Sequence, residues 1–448
     1  MDQSQQPAKL KNCEIMRYTN VNRTGSKMGF RGYDESGDRI HINDEFYPTL
    51  YTETKKKTNF KSVSGFPLDP VKPGTMWDCK NYIEKWDNVD GYTLHGQDNW
   101  VSQYLSDKYL ESGGCSYEFS GLNSAYIDIE CESERSFPDA TDARERINAI
   151  TTRSSKSGKT YVLGLGNFHI PDTEDRSYTC MEFTEESELL KTFIELWRQE
   201  DYDIVSGWNI SGYDIPYIIN RVNRVLGEDY SKALSPWGSI YAKNVIDDYG
   251  NTRQTYKIHG IAILDFMQLY KKYVLKPRES YKLDFIAEAE LGHKKVDWKS
   301  KYDSMSEFYK KNFQLFMEYN AVDVDLVYEM ETKLCLLELQ TQIAYTALIN
   351  YEDVFSPVRT WDSIIYNHLR ERGIIIPLNL SSFSKDSQYA GAYVKDPVPG
   401  MYNYVASFDV NSLYPNIIAG KNISPDTLVT RGNLEGFRKR ILERLSNV

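Results

Sequence analysis

The stretch Ala125-Tyr-Ile-Asp-Ile-Glu-Cys131 alternates acidic side chains with apolar ones. A period of two residues is typical of a β-strand, so Asp128 and Glu130 are predicted to lie on one face. Apolar neighbours indicate that the strand is central in a sheet and that its acids are not on an open surface. Two adjacent carboxylates repel each other unless a cation neutralises them, which favours a metal site. A solvated strand face is the alternative, because a D-x-E pattern arises by chance in a chain with 64 acidic residues.

Strands and helices are predicted to alternate around this stretch, which indicates an α/β domain. The predicted elements are strands at Ser124–Glu130, Thr160–Phe168 and Ile204–Trp208 and helices at Ser187–Trp197 and from Asp214 to Gly227. Residues 304–349 have a helical pattern almost throughout. A further helix is predicted at Thr360–Arg370 and a strand at Val405–Val410.

Residues 1–118 are rich in Gly, Asp, Asn and Tyr, with short stretches such as Tyr47–Tyr51 and Lys80–Trp86 between turn-forming residues. That pattern predicts a β-rich N-terminal domain with few helices. At 448 residues the chain is long enough for about three domains. The predicted fold class is therefore α/β, or α+β when several domains are considered together.

Composition excludes some classes of protein. The net charge of −11 argues against a general basic coat for nucleic acid, but not against nucleic-acid enzymes, because a metal site needs clustered carboxylates. The 34 tyrosines offer faces that stack on unpaired bases, although such enrichment more often serves packing. No apolar run is long enough for a membrane span, and the six cysteines include no C-x-x-C pair. A cytoplasmic protein without membrane contact, disulfide framework or zinc site is expected.

Two further segments carry acids that are ambiguous when taken alone. Asp214 follows a glycine-bearing loop at the start of a predicted helix. There it is either a helix N-cap, worth roughly 0.5–2 kcal/mol, or a functional acid, and the segment favours neither. Tyr319 and Asp323 are four residues apart in a predicted helix and therefore share a face. Such pairs are common on ordinary helices.

Taken in order, these segments resemble the exonuclease motifs of family B DNA polymerases, most closely those of T-even-type bacteriophages. The D-x-E pair is followed about 80 residues later by N-x₃-[YF]-D, and about 110 residues further on by Y-x₃-D. Three more segments are similar to that family: Gly207–Val222, Ile263–Lys272 and Ser356–Asp362. The resemblance runs from Ala125 to Thr427 and implies a ribonuclease-H-like 3′→5′ proofreading exonuclease domain, acting in the host cytoplasm if the protein is viral.

The resemblance implies a role for each acid in a site with two Mg²⁺ or Mn²⁺ ions. Asp128 would bridge both ions. Glu130 and Asp323 would bind the ion on the side of the nucleophile, and Asp214 would bind the other. Tyr319 would orient the attacking water.

Two contacts to DNA are also implied. Asn209 and Tyr213 would bracket the terminal nucleotide of a single strand. The hairpin-like segment Asp247–Asn251 resembles a loop that helps to separate primer from template, and a plain surface turn is an equal alternative.

The segment Ser407–Ile418 resembles the first palm motif of the family, D-x-x-S-L-Y-P. By that resemblance Asp409 would bind the metals of the polymerase site. The backbone near Ser412 and Leu413 would meet the incoming nucleoside triphosphate, and Tyr414 would exclude a ribose 2′-hydroxyl by its bulk.

The resemblance implies three domains. They are a β-rich N-terminal domain of residues 1–118 plus 339–382, the exonuclease domain of residues 119–338, and the beginning of the palm at residues 383–448, reached through a connector at Tyr389–Ala392. Residues 339–382 are expected to return to the N-terminal domain because their apolar side chains need burial. These side chains are Leu348, Ile349, Ile364, Ile365 and Leu369.

The 448 residues include neither a D-T-D-S hairpin, which carries the second palm acid, nor the fingers motif Asn-Ser-x-Tyr-Gly. One palm carboxylate does not hold two metals, so polymerisation is expected only with a second chain that supplies fingers, the rest of the palm and thumb. The chain would be a natural subunit of a split polymerase or a truncation. Expected partners are primer-template DNA, single-stranded 3′ ends, that second chain and, as candidates, a sliding clamp and other replisome proteins.

A rival interpretation is a non-catalytic nucleic-acid-binding or assembly subunit that uses the nuclease fold as a scaffold. All four acids are present at the motif positions, and a retired nuclease has no physical need to keep carboxylates that repel one another. The sequence therefore favours the nuclease.

Overall fold

The computed structural model describes residues 15–86, 89, 91–110, 115, 117–133, 137–246, 252–378, 391–424 and 427. Its strands are β1 (Ile15–Thr24), β2 (Lys27–Asp34), β3 (Arg39–Glu45), β4 (Leu50–Glu53), β5 (Phe60–Ser62), β6 (Pro67–Val71), β7 (Leu94–His95), β8 (Ser124–Cys131), β9 (Ile147–Ser154), β10 (Lys159–Gly164), β11 (Ser177–Glu182), β12 (Ile204–Ser206), β13 (Ile240–Ile246), β14 (Thr252–Ile258), β15 (Ala262–Ile263) and β16 (Ile374–Ile375). Its helices are α1 (Met76–Trp86), α2 (Trp100–Tyr109), α3 (Glu186–Glu200), α4 (Asp214–Val225), α5 (Glu228–Lys232), α6 (Phe266–Tyr273), α7 (Leu283–Leu291), α8 (Met305–Lys311), α9 (Phe313–Leu334), α10 (Leu336–Ala347), α11 (Pro357–Arg370) and α12 (Leu413–Lys421). The chain divides into two compact units, residues 1–383 and residues 384–448.

The largest sheet in the described part of the chain has the strand order β11-β10-β9-β8-β12-β15. Strand β9 is antiparallel to its neighbours β8 and β10, whereas β8, β12 and β15 run parallel, as do β10 and β11. Strand β8 is therefore an inner strand, which confirms the prediction from its apolar neighbours. The helices predicted at Ser187–Trp197 and from Asp214 are α3 and α4, so the α/β class is confirmed.

The two faces of β8 have different surroundings because its side chains alternate. Ile127 and Ile129 are buried in a hydrophobic core with residues of α3 and α4, among them Phe193. On the opposite face the ring of Tyr126 lies 5.4 Å from the ring of Tyr328 in α9. Helix α9 thus covers the face that carries the two acids.

The N-terminal region contains two further sheets. Strands β1, β2 and β3 form an antiparallel sheet, and the second sheet has the order β16-β5-β6-β4-β7. Lys80–Trp86 lies in helix α1, one of the few helices of this β-rich region. The helix begins where Thr75 and Asp78 form a reciprocal cap: the Thr75 N–H donates to the Asp78 carboxylate at 2.8 Å, and the Asp78 N–H donates to the Thr75 hydroxyl at 3.4 Å.

Residues beyond 339 contact the N-terminal strands. Strand β16 pairs in parallel with β5. The Tyr18 hydroxyl donates to the Ile349 carbonyl at 2.7 Å, and the Asn350 side chain exchanges hydrogen bonds with the Val21 backbone at 2.9 and 2.7 Å. Ile365, which was expected to be buried, is 48% exposed because it lies on the outer face of α11. The domain boundaries 1–118 plus 339–382, 119–338 and 383–448 stay a prediction.

The described part of the second unit contains helix α12. Residues Val405–Val410 do not form a strand, so that prediction is wrong. A strand needs a neighbouring segment to bond its backbone groups, and none of the described residues pairs with these six. The described side chains of residues 391–424 are exposed. Among the described helices, none combines the length and the apolarity that a membrane crossing requires.

Candidate metal centre

Three of the predicted acids meet at one point between sheet and helix. Asp128 and Glu130 project from β8, and Asp323 projects from α9. One carboxylate oxygen of each lies within 4.8 Å of the others. The two-residue period of β8 places Asp128 and Glu130 on one face of the sheet. Helix α9 packs on that face and brings Asp323 close to them.

The fourth acid, Asp214, is the first residue of α4 and is buried. Its Oδ1 accepts a hydrogen bond from the backbone N–H of Ile129, in β8 between the two acids, at 3.1 Å. The helix N-cap is Tyr213, whose side chain makes no capping bond. Asp214 thus bonds to the strand of the acidic cluster instead of capping its own helix.

Asp265, which the sequence analysis assigned no role, holds the loop that leads to Asp214. Its carboxylate accepts from the backbone N–H groups of Asn209 at 3.2 Å and Ser211 at 3.0 Å. Asn209 adopts a φ of 62°, in the left-handed region where asparagine is tolerated. Gly207 passes so close to β8 that a Cβ there would lie 2.4 Å from the Ile127 carbonyl oxygen.

Burial is the main influence on the pKa values of the four acids. It raises the pKa of Glu130 to about 8, of Asp214 to about 7 and of Asp323 to about 6, and it raises that of Asp128 well above its usual range. For Asp128 and Glu130 the charge of Asp323 raises the pKa further. The cluster therefore resists carrying its full negative charge unless positive charge enters it.

The donor set fits a divalent cation. Asp323 Oδ1 is buried and has no hydrogen-bond partner among the described residues. Such an oxygen, when ionised, is costly to leave without a partner. Carboxylate oxygens are the ligands that Mg²⁺ and Mn²⁺ prefer. The residues present are thus able to hold such an ion.

Lys295 adds a positive charge that the sequence analysis did not predict. Its ammonium bonds to the Asp323 carboxylate and donates to the Tyr319 hydroxyl at 3.2 Å. Burial lowers the pKa of Lys295, but Asp323 and Tyr319 outweigh that effect, so its pKa lies above the ordinary value. Lys295 lies between α7 and α8 in a segment without a motif, so no sequence signal identifies it.

A cleft of about 700 Å³ opens beside Tyr319 and Lys295. Its lining combines lysines with aromatic rings and includes Asn209. The lining also includes Trp208, Tyr281, Lys282, Lys294, Trp298 and Lys299, together with two acids, Asp284 and Asp297. The bond between Lys295 and Asp323 thus links the acidic cluster to a cleft wall that carries lysines and aromatic rings.

The two residues predicted to bracket a nucleotide have different surroundings. Asn209 lines the cleft. Tyr213 packs instead with Phe137 and Tyr217, at ring distances of 4.9 and 5.4 Å. Their contacts to DNA stay predictions. The segment Asp247–Asn251 lies outside the described residues, as do the first two residues of the Tyr389–Ala392 connector.

The predicted palm residues lie at the start of α12. Ser412 is the N-cap residue, with a φ of 52°, and Leu413 and Tyr414 form the first turn. Asp409 precedes them in an exposed segment without regular secondary structure. The metal and nucleotide roles of these residues stay predictions.

Two family models match this chain. Residues 116–286 match the exonuclease domain of DNA polymerase family B, and residues 359–442 match DNA polymerase family B itself. The first match contains Asp128, Glu130 and Asp214, and the second contains Asp409. The chain belongs to DNA polymerase family B, which confirms the resemblance seen in its motifs.

Phage polymerases are among its relatives. The DNA-directed DNA polymerase of Escherichia phage RB69 is 32% identical over 459 residues, which cover 96% of this chain and 50% of the relative. That of Enterobacteria phage T4 is 31% identical over 433 residues, covering 92% of this chain and 47% of the relative. The DNA polymerase catalytic subunit of Saimiriine herpesvirus 2 is 28% identical, covering 85% and 38%. The chain spans about half the length of the phage relatives.

Proposed function

We propose that this chain is the N-terminal part of a replicative family B DNA polymerase and that its acidic cluster is a 3′→5′ proofreading exonuclease. The observation that carries the proposal is the meeting of Asp128, Glu130 and Asp323 within 4.8 Å, beside the buried Asp214. Two of the three acids, and Asp214, lie in the segment that matches the exonuclease domain of the family. A solvated strand face does not account for acids that a helix covers.

Two Mg²⁺ or Mn²⁺ ions held by Asp128, Glu130, Asp214 and Asp323 would neutralise charge on the attacking and leaving oxygens of a phosphodiester. The protein's own groups supply the rest. Tyr319 lines the cleft, and its hydroxyl, which accepts a hydrogen bond from the Lys295 ammonium, would orient the attacking water. Lys295 would place an ammonium beside the phosphate, because it already bonds both Tyr319 and Asp323.

The substrate would be the 3′ end of a single DNA strand in the cleft. Lys282, Lys294 and Lys299 would neutralise backbone phosphates, which a chain of net charge −11 needs at its DNA-binding surface. Trp208 is fixed in the cleft wall because its indole N–H donates to the Tyr281 carbonyl at 3.0 Å. Aromatic faces held in this way suit stacking of unpaired bases.

The test is digestion of 5′-labelled single-stranded DNA by the 448-residue chain in Mg²⁺. Successive shortening from the 3′ end, stopped by a chelator, is expected. DNA binding without digestion would contradict the proposal and favour the rival assembly subunit.

For synthesis we propose that the second palm acid, the fingers and the thumb must come from polypeptide outside these 448 residues. The 448 residues carry Asp409 in the first palm motif but no D-T-D-S hairpin. Primer extension is expected when a polypeptide with those parts is added, and Asp409→Ala should abolish extension while digestion continues. Extension by the 448-residue chain alone would contradict this proposal. Primer-template DNA, the second chain and a sliding clamp are the proposed partners.

A further inference from the structure

A buried amide connects the metal centre to the neighbouring strand. Asn320, one residue after Tyr319 in α9, is 0% exposed. Its Nδ2 donates a hydrogen bond to Asp128 Oδ2 at 2.7 Å, and its Oδ1 accepts one from the Thr151 hydroxyl at 2.5 Å. Thr151 is also 0% exposed. The three side chains form a continuous chain of hydrogen bonds.

The strand register explains why these residues meet. Asp128 in β8 and Thr151 in β9 are directly opposite partners in an antiparallel pair, so their side chains stand on the same face. Helix α9 lies across that face and brings Asn320 to both. An ionised carboxylate only accepts hydrogen bonds, so the amide must present its NH₂ group to Asp128 and its oxygen to Thr151.

Packing of α9 on the sheet does not by itself require a buried amide at Asn320 and a buried hydroxyl at Thr151. Two pairs further along the same strands, and on the same face, Glu130 lies opposite Ala149, which belongs to one apolar cluster with Phe316 and Met317 of α9. Burying an amide and a hydroxyl costs free energy unless both are bonded, so at Asp128 the polar contact is the more demanding solution. What the hydrogen bond from Asn320 adds to packing is a fixed orientation of the Asp128 carboxylate.

We propose that Asn320, itself oriented by Thr151, is a positioning residue that holds Asp128 ready to bind the divalent cation. The inference rests on the proposed metal centre. Groups that orient metal ligands typically change metal affinity or activity by about 10–100-fold when removed. We call the hydrogen-bonded chain from Thr151 through Asn320 to Asp128 the relay. Its effect should be measurable as a change in Mn²⁺ affinity, independently of DNA digestion.

The test is calorimetric titration of Mn²⁺ into the 448-residue chain and its variants, with thermal melting as a check of folding. Asn320→Ala should weaken Mn²⁺ binding by about 10-fold or more. Thr151→Val has nearly the same shape but no hydroxyl, and a loss of about 3- to 10-fold is expected. Thr151→Ser restores the donor and should bind Mn²⁺ like the unchanged chain.

Thr152→Val is the matched control. Thr152 is the next residue of β9 and is also buried, but its hydroxyl lies on the opposite face, 3.4 Å from the Tyr202 hydroxyl. It should leave Mn²⁺ affinity unchanged. If Asn320→Ala does not fold, the pair Thr151→Val and Thr151→Ser decides.

Unchanged Mn²⁺ affinity in folded Thr151→Val would overturn the relay, as would an equal loss in Thr152→Val. Failure of the unchanged chain to digest DNA while it binds Mn²⁺ in the expected variant order would overturn the proposed nuclease and support the relay. The two failures are therefore distinguishable.

Discussion

Asp128 and Asp409 each lie in a motif of the same polymerase family, but the two regions around them differ. Asp128 stands on an inner strand, with a second strand, a helix and a helix N-terminus around it. Asp409 lies in a segment without regular secondary structure, among exposed side chains. The difference shows that a motif supplies one acid, whereas a metal site requires several elements that converge on it.

The comparison also explains the electrostatics. Burial raises the pKa values of Asp128 and Glu130, so the first region favours a cation that balances its charge. Among the described residues, Asp409 does not belong to a group of three or more side chains that could hold a metal ion. By this account the first region is ready for metal-dependent chemistry and the second is not.

The largest effect is expected from Asp323→Ala. It removes the acid that α9 brings to the cluster, and digestion should fall by at least about a thousandfold while single-strand binding is largely retained. Single-turnover digestion and a fluorescence binding titration measure the two quantities. The control is Asp396→Ala, an exposed acid in the second unit, which should digest normally. If Asp323→Ala and Asp396→Ala digested DNA at the same rate, the proposed difference between the two regions would be contradicted.

A smaller loss is expected from Lys295→Ala. Removing one positive group at the reacting phosphate typically costs about 10²–10³ in rate. Because Lys295 is not a metal ligand, Mn²⁺ binding should not weaken, which separates this variant from Asp323→Ala. Lys311→Ala, which removes an exposed lysine paired with Glu307, is the control. A matching loss of Mn²⁺ affinity in Lys295→Ala would show that the lysine acts on the site's structure instead.

The mildest effect is expected from Tyr319→Phe. The variant loses one hydroxyl that orients water, and a roughly tenfold slower but measurable digestion is expected. Tyr309→Phe removes a buried hydroxyl from the same hydrophobic cluster and should not slow digestion. A complete loss in Tyr319→Phe would mean that the hydroxyl does more than orient water.

Local periodicity was sufficient to predict β8 and the shared face of Asp128 and Glu130. Asp214 and Asp323 were ambiguous when taken alone, and only the resemblance of the ordered motifs to the polymerase family selected them. The helix start at Asp214 was also predicted, but not the bond from its carboxylate to the Ile129 N–H, which depends on the packing of α4 against β8.

Lys295, Asp265 and Asn320 could not be predicted in the same way. Each acts through a contact between elements distant in sequence, such as the bond from Asn320 to Asp128 across 192 positions. The strand predicted at Val405–Val410 failed for a related reason. Its apolar pattern is local, whereas a strand exists only with a partner that bonds its backbone.

The central claim is that the acidic cluster is a metal-dependent 3′→5′ exonuclease independent of the palm motif. The most direct measurement compares the unchanged chain with Asp128→Ala on 5′-labelled single-stranded DNA in Mg²⁺ and in chelator. The account predicts a ladder of products shortened from the 3′ end for the unchanged chain in Mg²⁺ alone, and intact DNA in the other three reactions. Digestion by Asp128→Ala, or digestion by the unchanged chain in chelator, would contradict it.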